Sequence, residues 1–472
     1  MNAPAPEFPA GLSWVNVSRP PRIADLRGRV ALLWFWSYDA VNCWNLIPDL
    51  RFLEEKYDDG LTVIGVHCPK YPQQAGDEPL LRAVNRHRLR HAMANDPGFE
   101  VWQAYGIEAW PSVALVDAEG RLAARLAGEG RRDELDALVA RLLERAAELD
   151  LRIYEPALPA LRPEPDHALA FPGKLLADGE RLYVSDSGHH RVLECDHDGR
   201  VLRSFGSGIA GFGDGHAEIA CFDDPQGLAR RGSALYVADR GNHCVRRVDL
   251  ESGRVDTVLG TGRAGRARPD DADARAVAPN TPLDLCVVGD ELCVAVAGQH
   301  QVWCMDLRTA RVRAPAGSGE LARRDGPAAA AAFAQPSGLA AMGRSVFVAD
   351  AASSSIRVLN LEQGRVETVV AGDLYPPEAA EADDEARLHH PLAVAVDLRG
   401  TLYVADSYDG SIKLASRRGG EVWRLRMAYR LHEPQGLSLA DGRLWIANTN
   451  LHEVACVDLD GGAVRRVPVG EG

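Results

Sequence analysis

The sequence predicts a small α/β sandwich followed by a six-bladed β-propeller. Three observations lead to this prediction. Apolar runs alternate with helical apolar patterns over residues 1–148. Four prolines lie close together in residues 149–165, which predicts a linker. Residues 166–472 contain six similar segments, each led by a proline and each carrying short strand-like stretches.

The first domain, residues 1–148, is predicted from strands buried on both faces. The runs VALLWFW (30–36), LTVIGV (61–66) and SVALVD (112–117) are continuously apolar, which is typical of strands inside a sheet covered on both sides. Apolar residues at helical spacing predict helices over 48–57 and 133–149. Alternation of strand and helix is typical of an α/β sandwich.

The linker is rich in proline, which restricts the backbone and removes an N–H donor. It also contains the largely apolar residues Ile153, Tyr154, Leu158 and Leu161, whose side chains are more stable when buried than when exposed to water. We expect these side chains to pack on one or both domains and to hold them in a fixed orientation. A groove between the domains would then be a candidate ligand site.

The third part repeats one pattern six times. A proline leads a short apolar strand, a turn follows, and a second strand comes next; third and fourth strands follow, as at residues 245–250 and 255–259. Four antiparallel strands cannot bury their faces alone, but six such sheets arranged radially bury them against one another. The leading prolines are Pro172, Pro225, Pro282, Pro336, Pro391 and Pro434.

These repeats resemble the NHL family of β-propellers. The resemblance rests on Pro-x-Gly-Leu segments, as at 225–228, and on strands reading Tyr-Val-Ala-Asp, as at 236–239 and 403–406. The aspartate that ends the second strand is replaced at Val296 and Asn448. We expect this aspartate to cap the following turn, so altered turns are expected in blades three and six.

The first domain resembles a thioredoxin-like domain, so the whole chain resembles NHL-repeat-containing proteins with an N-terminal thioredoxin-like domain. Relatives of that type carry Cys-x-x-Cys after the first strand, whereas this chain has Ala40-Val41-Asn42-Cys43. The resemblance therefore implies a redox-degenerate domain. It also implies a cis proline at Trp110–Pro111, at an edge that binds substrate. The matching residues are Phe35, Trp36, Cys43, Pro48, Tyr57, Trp110 and Pro111.

Cys43 and Cys68 are the candidate catalytic residues. A dithiol cycle needs an exposed attacking cysteine and a resolving one. Because Ala40 replaces the first, Cys43 is either a buried thiol without a catalytic role or a redox thiol with another partner. Cys68 follows the strand at 61–66. We expect this strand to end at the same edge of the sheet at which the helix containing Cys43 begins. His67 either lowers a thiol pKa or is a hydrogen-bonded structural residue.

Four histidines occupy equivalent turns of the repeats: His190, His243, His300 and His452. A ring of histidines suggests a metal, but the turns match the repeat itself, which favours a structural role. No metal ligand set and no cofactor motif is found, so no metal or cofactor is predicted. The Gly-rich segment 260–265 matches GxGxxG, but Pro269 denies it the required helix, and we interpret it as a loop.

Composition limits the partners. Lys and Arg number 53 against 67 Asp and Glu, a net charge of −14, which argues against nucleic acid or an anionic membrane as a partner. No apolar run is long enough for a membrane helix, and the N-terminus lacks a secretory signal. The nine cysteines form no CxxC pair. A reducing, cytoplasmic location is expected.

Two cysteines have a predicted neighbour. A turn at Gly289-Asp290 places Cys286 opposite Cys293 across a hairpin, and we expect both thiols to be reduced.

The sequence favours a two-domain binding or scaffold protein. Its partner would be a protein or a small molecule, bound at the propeller loops or the interdomain groove. One alternative is a thiol-dependent oxidoreductase that uses Cys43 with Cys68 or an external thiol. A weaker alternative is a metal-dependent hydrolase or lyase built on the propeller.

The long connections carry basic residues, Arg263, Arg266 and Arg268, and acidic ones, Glu378, Glu381, Asp383, Asp384 and Glu385.

Overall fold

The computed structural model describes residues 3–152, 160–372 and 387–471. It divides into two compact units, Met1–Pro165 and Asp166–Gly472. Ile153, Tyr154, Leu158 and the acidic residues 378–385 lie outside the described residues. Within the described ranges, no helix has the length and apolar character needed to span a membrane.

The first unit is built on a mixed six-stranded sheet with the strand order β1-β4-β3-β2-β5-β6. The central strands β2, β3 and β4 run parallel, and the other neighbours pair antiparallel. The strands are β1 (Ser13–Val15), β2 (Val30–Trp36), β3 (Leu61–His67), β4 (Ala92–Asn95), β5 (Ser112–Val116) and β6 (Leu122–Ala127). The helices are α1 (Val41–Trp44), α2 (Ile47–Lys56), α3 (Asp77–Arg86), α4 (Glu100–Ala104) and α5 (Arg132–Glu148), with short 3-10 helices at Ile23–Leu26 and Pro72–Gln74.

The predicted strands and helices of this unit are confirmed. All seven residues of β2 are buried, as expected of a central strand covered on both faces. Trp34 and Trp36, on one face of β2, stack with ring centroids 4.6 Å apart. Phe35 points to the other face, into a cluster that includes Ile64 and Val66 of β3. The α/β class follows from this double burial.

The second unit is a six-bladed propeller, as predicted. Six sheets of four or five strands follow one another along the chain. Blade 1 contains β7 (Leu175–Asp178), β8 (Arg181–Asp186), β9 (Arg191–Cys195) and β10 (Val201–Phe205). Blade 2 contains β11 (Gly215–His216), β12 (Pro225–Arg231), β13 (Ala234–Asp239), β14 (Cys244–Asp249) and β15 (Arg254–Leu259). Blade 3 contains β16 (Ala272–Asp273), β17 (Pro282–Val288), β18 (Glu291–Val296), β19 (Gln301–Asp306) and β20 (Arg311–Ala316).

The remaining blades follow the same plan. Blade 4 contains β21 (Gly326–Pro327), β22 (Pro336–Met342), β23 (Ser345–Asp350), β24 (Ser355–Asn360) and β25 (Arg365–Val370). Blade 5 contains β26 (Pro391–Val396), β27 (Thr401–Asp406), β28 (Ser411–Ser416) and β29 (Trp423–Arg424). Blade 6 contains β30 (Gly436–Ala440), β31 (Arg443–Asn448), β32 (Glu453–Asp458) and β33 (Val464–Val467). Short 3-10 turns join the main strands of blades 1, 3, 4 and 6: Ser187–His189, Ala297–Gln299, Ala351–Ser353 and Thr449–Leu451. One more, Ala274–Ala276, directly follows β16 in blade 3.

Apolar faces of neighbouring blades form the core of the propeller. The ring closes where Trp445 of blade 6 packs in one cluster with Leu175 and Val184 of blade 1. Thr449 Oγ1 donates a hydrogen bond to the carbonyl of Pro172, 2.7 Å away, across the same junction. Closure therefore uses both buried apolar area and hydrogen bonds between the last and first blades.

The aspartate that ends the second main strand of blades 1, 2, 4 and 5 stabilises more than the following turn. In blade 1, Asp186 Oδ1 accepts a hydrogen bond from the backbone N–H of Ala170, before the leading proline, at 2.7 Å. Its other oxygen bonds Nδ1 of His189 in the following turn, at 2.9 Å. The same aspartate also forms an ion pair with an arginine or lysine on the next main strand of its blade. These pairs are Asp186–Arg191, Asp239–Arg246, Asp350–Arg357 and Asp406–Lys413.

The expectation of altered turns in blades 3 and 6 is wrong, because other side chains supply the missing acceptor. In blade 3, where Val296 replaces aspartate, Gln299 Oε1 accepts from the backbone N–H of Asn280 at 2.9 Å. In blade 6, Asn448 Oδ1 accepts from His432 N–H at 2.7 Å. Both turns keep the 3-10 conformation found after Asp186.

The four repeat histidines occupy left-handed positions at the end of the turn that precedes the next strand of the blade, with φ between 49° and 56°. In three of them, Nδ1 accepts a hydrogen bond from the backbone N–H that precedes the leading proline of the next blade. The pairs are His190 with Asp224 (3.1 Å), His243 with Thr281 (3.1 Å) and His452 with Phe171 (3.2 Å). These contacts join neighbouring blades and support the structural role.

Three smaller predictions can be compared directly. Cys286 lies opposite Cys293 in the β17–β18 hairpin, which confirms the register. The Gly-rich segment 260–265 is a loop, as interpreted. Leu161, however, is 50% exposed, so its predicted packing is wrong. The chain here is held by its backbone instead, since Ala160 N–H donates to the carbonyl of Asn16 at 3.0 Å.

Candidate functional site

The candidate site of the first unit lies where β2 ends and α1 begins. Ala40 is the N-cap of α1, and its methyl side chain cannot accept a hydrogen bond from the first helical N–H groups. Cys43 is in the same short helix and is fully buried. The position expected for an attacking thiol therefore holds an inert side chain, and the remaining thiol points into the protein.

The environment of Cys43 disfavours its thiolate. Burial raises the pKa of Cys43 to about 12, and the charge of Asp39 adds to this rise. Lys70 acts in the opposite direction without cancelling the effect of burial. Since the thiolate is the nucleophile of cysteine chemistry, a thiol with this pKa is almost entirely protonated at neutral pH.

Cys68 directly follows β3 and is also fully buried. Its Sγ lies 3.8 Å from the carbonyl of Val66 and 3.7 Å from Oδ2 of Asp96. Burial, followed by the carboxylate of Asp96, raises the pKa of Cys68 well above its ordinary value. Among the described residues, no hydrogen bond or disulfide joins Cys43 and Cys68, and their pairing stays a prediction.

A buried polar cluster lies beside Cys43, and sequence reasoning missed it. Ser37 Oγ donates to Oδ1 of Asp39, which also accepts from Nε2 of Gln74 at 3.2 Å. Lys70 Nζ lies 3.9 Å from the second Asp39 oxygen. The side chains of Asp39 and Lys70 are 0% and 8% exposed. The available signal was the polar pair Ser37 and Asp39 immediately after a fully apolar strand.

His67 is a buried neutral imidazole. Its ring stacks on Tyr38 with centroids 5.1 Å apart, and its Nδ1 lies 3.1 Å from Oδ1 of Asn95. Burial lowers the pKa of His67 to about 4. A histidine that stays neutral at physiological pH supplies no positive charge to a neighbouring thiol, which favours the structural interpretation.

The predicted substrate edge has the expected backbone. The Trp110–Pro111 peptide bond is cis. Trp110 Nε1 donates to the carbonyl of Cys68 at 3.1 Å, and its ring packs 4.4 Å from that of Trp102. The ammonium of Lys70 lies 5.1 Å from the centroid of the Trp110 ring, within cation–π range. This edge therefore presents the partly exposed Trp110 ring, with the largely buried Lys70 ammonium beside it.

A second polar site lies among the inner strands of the propeller. Lys174, next to β7, places its ammonium 3.4 Å from Oδ2 of Asp284 on β17. The same ammonium donates to the carbonyls of Ser337 (3.1 Å) and Leu392 (2.5 Å). Asp284 in turn accepts from the backbone N–H of Leu339 at 2.9 Å. One buried ion pair thus connects blades 1, 3, 4 and 5.

These units define the class of protein: a thioredoxin-like domain followed by a six-bladed propeller of NHL repeats. Residues 1–125 match the model of the AhpC/TSA family. The chain is 33% identical to human NHL repeat-containing protein 2 over 98% of its own length and 71% of that protein. It therefore belongs to the family of NHL repeat-containing protein 2.

Two further relatives cover different shares of the chain. The chloroplastic protein SUPPRESSOR OF QUENCHING 1 of Arabidopsis thaliana is 35% identical over 97% of this chain, which spans 47% of that longer protein. The thiol-disulfide oxidoreductase YkuV of Bacillus subtilis is 25% identical over 30% of this chain and 96% of its own length. The chain thus spans about half the length of SUPPRESSOR OF QUENCHING 1. Its match to YkuV covers nearly all of that smaller protein.

Proposed function

We propose that this chain is a two-domain binding protein whose thioredoxin-like domain no longer performs dithiol exchange. The observation that carries the proposal is the state of the site: Ala40 lies at the N-cap, and the remaining Cys43 is buried with its pKa raised to about 12. A dithiol cycle needs a thiolate at the surface to open the substrate disulfide. The Trp110–Pro111 edge remains available for binding.

The proposed binding surface of the propeller is the connection between blades 1 and 2. Ile209, Phe212 and Ile219 are 70%, 52% and 67% exposed. Exposed apolar side chains that occur together in one connecting segment indicate a candidate site of contact with another molecule. A protein or small-molecule ligand with an apolar surface is the proposed partner, and the net charge of −14 argues against nucleic acid.

The alternative function is thiol-dependent oxidation or reduction by Cys43 with Cys68 or an external thiol. It is supported by one observation: Cys43 and Cys68 both follow the carboxyl ends of the neighbouring parallel strands β2 and β3. The relative YkuV is named a thiol-disulfide oxidoreductase. The weaker alternative, a propeller-based metal enzyme, is disfavoured among the inner strands around Lys174, because its ammonium competes with any cation for the acceptors there.

An insulin-reduction assay on the full chain, with a dithiol donor, separates the first two functions. We expect no turnover above that of the donor alone, because no attacking thiolate is present. Ala40→Cys is expected to create a pair with Cys43 that mild oxidant converts to a disulfide. Turnover comparable to that of a dithiol thioredoxin, lost in Cys43→Ser and in Cys68→Ser, would establish the alternative instead.

The binding surface is tested by cross-linking the full chain in cell extract and comparing it with Ile209→Ser/Ile219→Ser. These side chains are exposed, so the double variant should melt within about 1 °C of the parent. We expect a defined cross-linked species that the double variant loses. A matched control, Leu398→Ser, alters a residue that is 97% exposed elsewhere and should keep the species. Identical patterns from all three proteins would contradict the proposal.

A further inference from the structure

Three cysteines of blade 3 lie side by side across three neighbouring strands. Cys286 on β17 is opposite Cys293 on β18, which is opposite Cys304 on β19. The sulfur atoms of Cys293 and Cys304 are 3.0 Å apart. We call Cys286, Cys293 and Cys304 the thiol row. Each of its members is an unbridged thiol in this structure.

The geometry of the thiol row suits a disulfide between Cys293 and Cys304. Directly opposed residues of antiparallel strands have Cα atoms about 4.5–5.5 Å apart, within the range of roughly 4.4–6.8 Å that disulfides span. The sulfurs need to approach by only about 1 Å to reach bonding distance. The bond can therefore form without separating the strands or changing their register.

The apolar surroundings of the thiol row also favour a Cys293–Cys304 disulfide. The thiol row belongs to an apolar cluster that includes Phe333 and Val346 of blade 4. A disulfide carries no charge and no hydrogen-bond donor, so this cluster accommodates it without a desolvation cost. Cys286 is 9% exposed, whereas Cys293 and Cys304 are 0% and 1% exposed. A small solute therefore meets Cys286 first.

We propose that the thiol row is an oxidisable site for small hydroperoxides, in which Cys286 reacts first and a Cys293–Cys304 disulfide is the final product. Hydrogen peroxide is the simplest such oxidant. The proposal concerns the propeller alone and does not depend on the function proposed for the chain above.

The reaction balances in three steps. The Cys286 sulfur attacks peroxide, the O–O bond breaks, and a sulfenic acid and one water form, the water taking the thiol proton. The Cys293 sulfur displaces the sulfenic oxygen, which leaves as a second water, and a Cys286–Cys293 disulfide forms. The Cys304 sulfur then attacks that of Cys293 and releases Cys286, which takes the proton of Cys304. Two thiols lose two electrons and two protons, and the peroxide becomes two waters.

Mass spectrometry of the native full chain tests the assignment. The chain is treated with hydrogen peroxide, alkylated in denaturant and cleaved before aspartate. Cleavage before Asp284, Asp290 and Asp306 separates Cys286, in residues 284–289, from the other two thiols, in residues 290–305. We expect residues 290–305 to lose two hydrogens and to carry no alkyl group, while residues 284–289 are alkylated.

Two variants test the role of Cys286. Cys286→Ser should form the product more slowly by about tenfold or more, because the remaining thiols are buried. Cys221→Ser changes a partly exposed cysteine outside the thiol row and should keep the parent rate. Alkylation of all three thiols, sulfinic acid without a disulfide, or a final link from Cys286 to Cys293 would overturn the proposal. An unchanged rate in Cys286→Ser would overturn the order of reaction.

Discussion

Replacing Asp284 by alanine is expected to destabilise the propeller by about 3–5 kcal/mol. The substitution leaves the Lys174 ammonium buried without its carboxylate partner and removes the acceptor of the Leu339 N–H. Burial already lowers the pKa of Lys174, so losing the anion makes its charged form still less favourable. The measurement is calorimetry of the full chain, in which the melting transition of the propeller should move down by roughly 5–10 °C.

A double variant gives the matched control. Lys174→Met/Asp284→Leu removes both charges and fills the space with apolar atoms, and buried ion pairs replaced in this way are often neutral or stabilising. We expect it to recover most of the loss caused by Asp284→Ala. Exchange of the Leu339 amide hydrogen reports the site directly. A loss below about 1 kcal/mol for Asp284→Ala would mean that water reaches the ion pair and screens it.

Acid should destabilise the first unit through His67. Burial lowers the pKa of this imidazole in the folded chain to about 4, against an ordinary value of 6.5. Between these two values the unfolded chain binds a proton that the folded chain does not, so stability falls as the pH falls from 6.5 to 4. The stability that comes from keeping this imidazole neutral is complete above the pKa of the unfolded chain, 6.5. About 3 kcal/mol of it is lost once the pH falls to the pKa of the folded chain, about 4.

The comparison with His67→Gln isolates this effect. Other groups titrate in both proteins and cancel in the difference, so the stability of His67→Gln relative to the parent should rise by about 3 kcal/mol between pH 7.5 and pH 4. Urea denaturation at each pH measures that difference. The ring proton signals of His67 provide a direct check. A midpoint near 6.5 in the folded chain would show that the imidazole is exposed to water and that the explanation is wrong.

Local patterns predicted most of the architecture. The fully apolar run of β2 and the alternation around it determine an α/β unit, because a strand covered on both faces needs no polar side chains. The proline-led repeats determine six blades, since each contains its own strands and turns within a short stretch. Alanine at position 40 and a single nearby cysteine were also visible in the sequence.

Contacts between distant segments could be found only in the folded chain. Nothing in the sequence pairs Lys174 with Asp284, because the two lie in different blades and meet only when the ring closes. The same is true of Asp39 and Gln74 beside Cys43, which the turn after β3 brings together. Sequence periodicity reports which face of an element is buried, but not which polar side chains meet across the core.

The sequence by itself determined the class of each domain, the number of blades, the alanine at position 40 and the register of Cys286 with Cys293. The tertiary structure alone decided that Gln299 replaces the missing aspartate of blade 3 and that Cys304 extends the thiol row. The physical reason is the range of the interactions. Turns and apolar periodicity act between near neighbours, whereas a buried polar atom accepts whichever partner the completed fold brings within hydrogen-bonding distance.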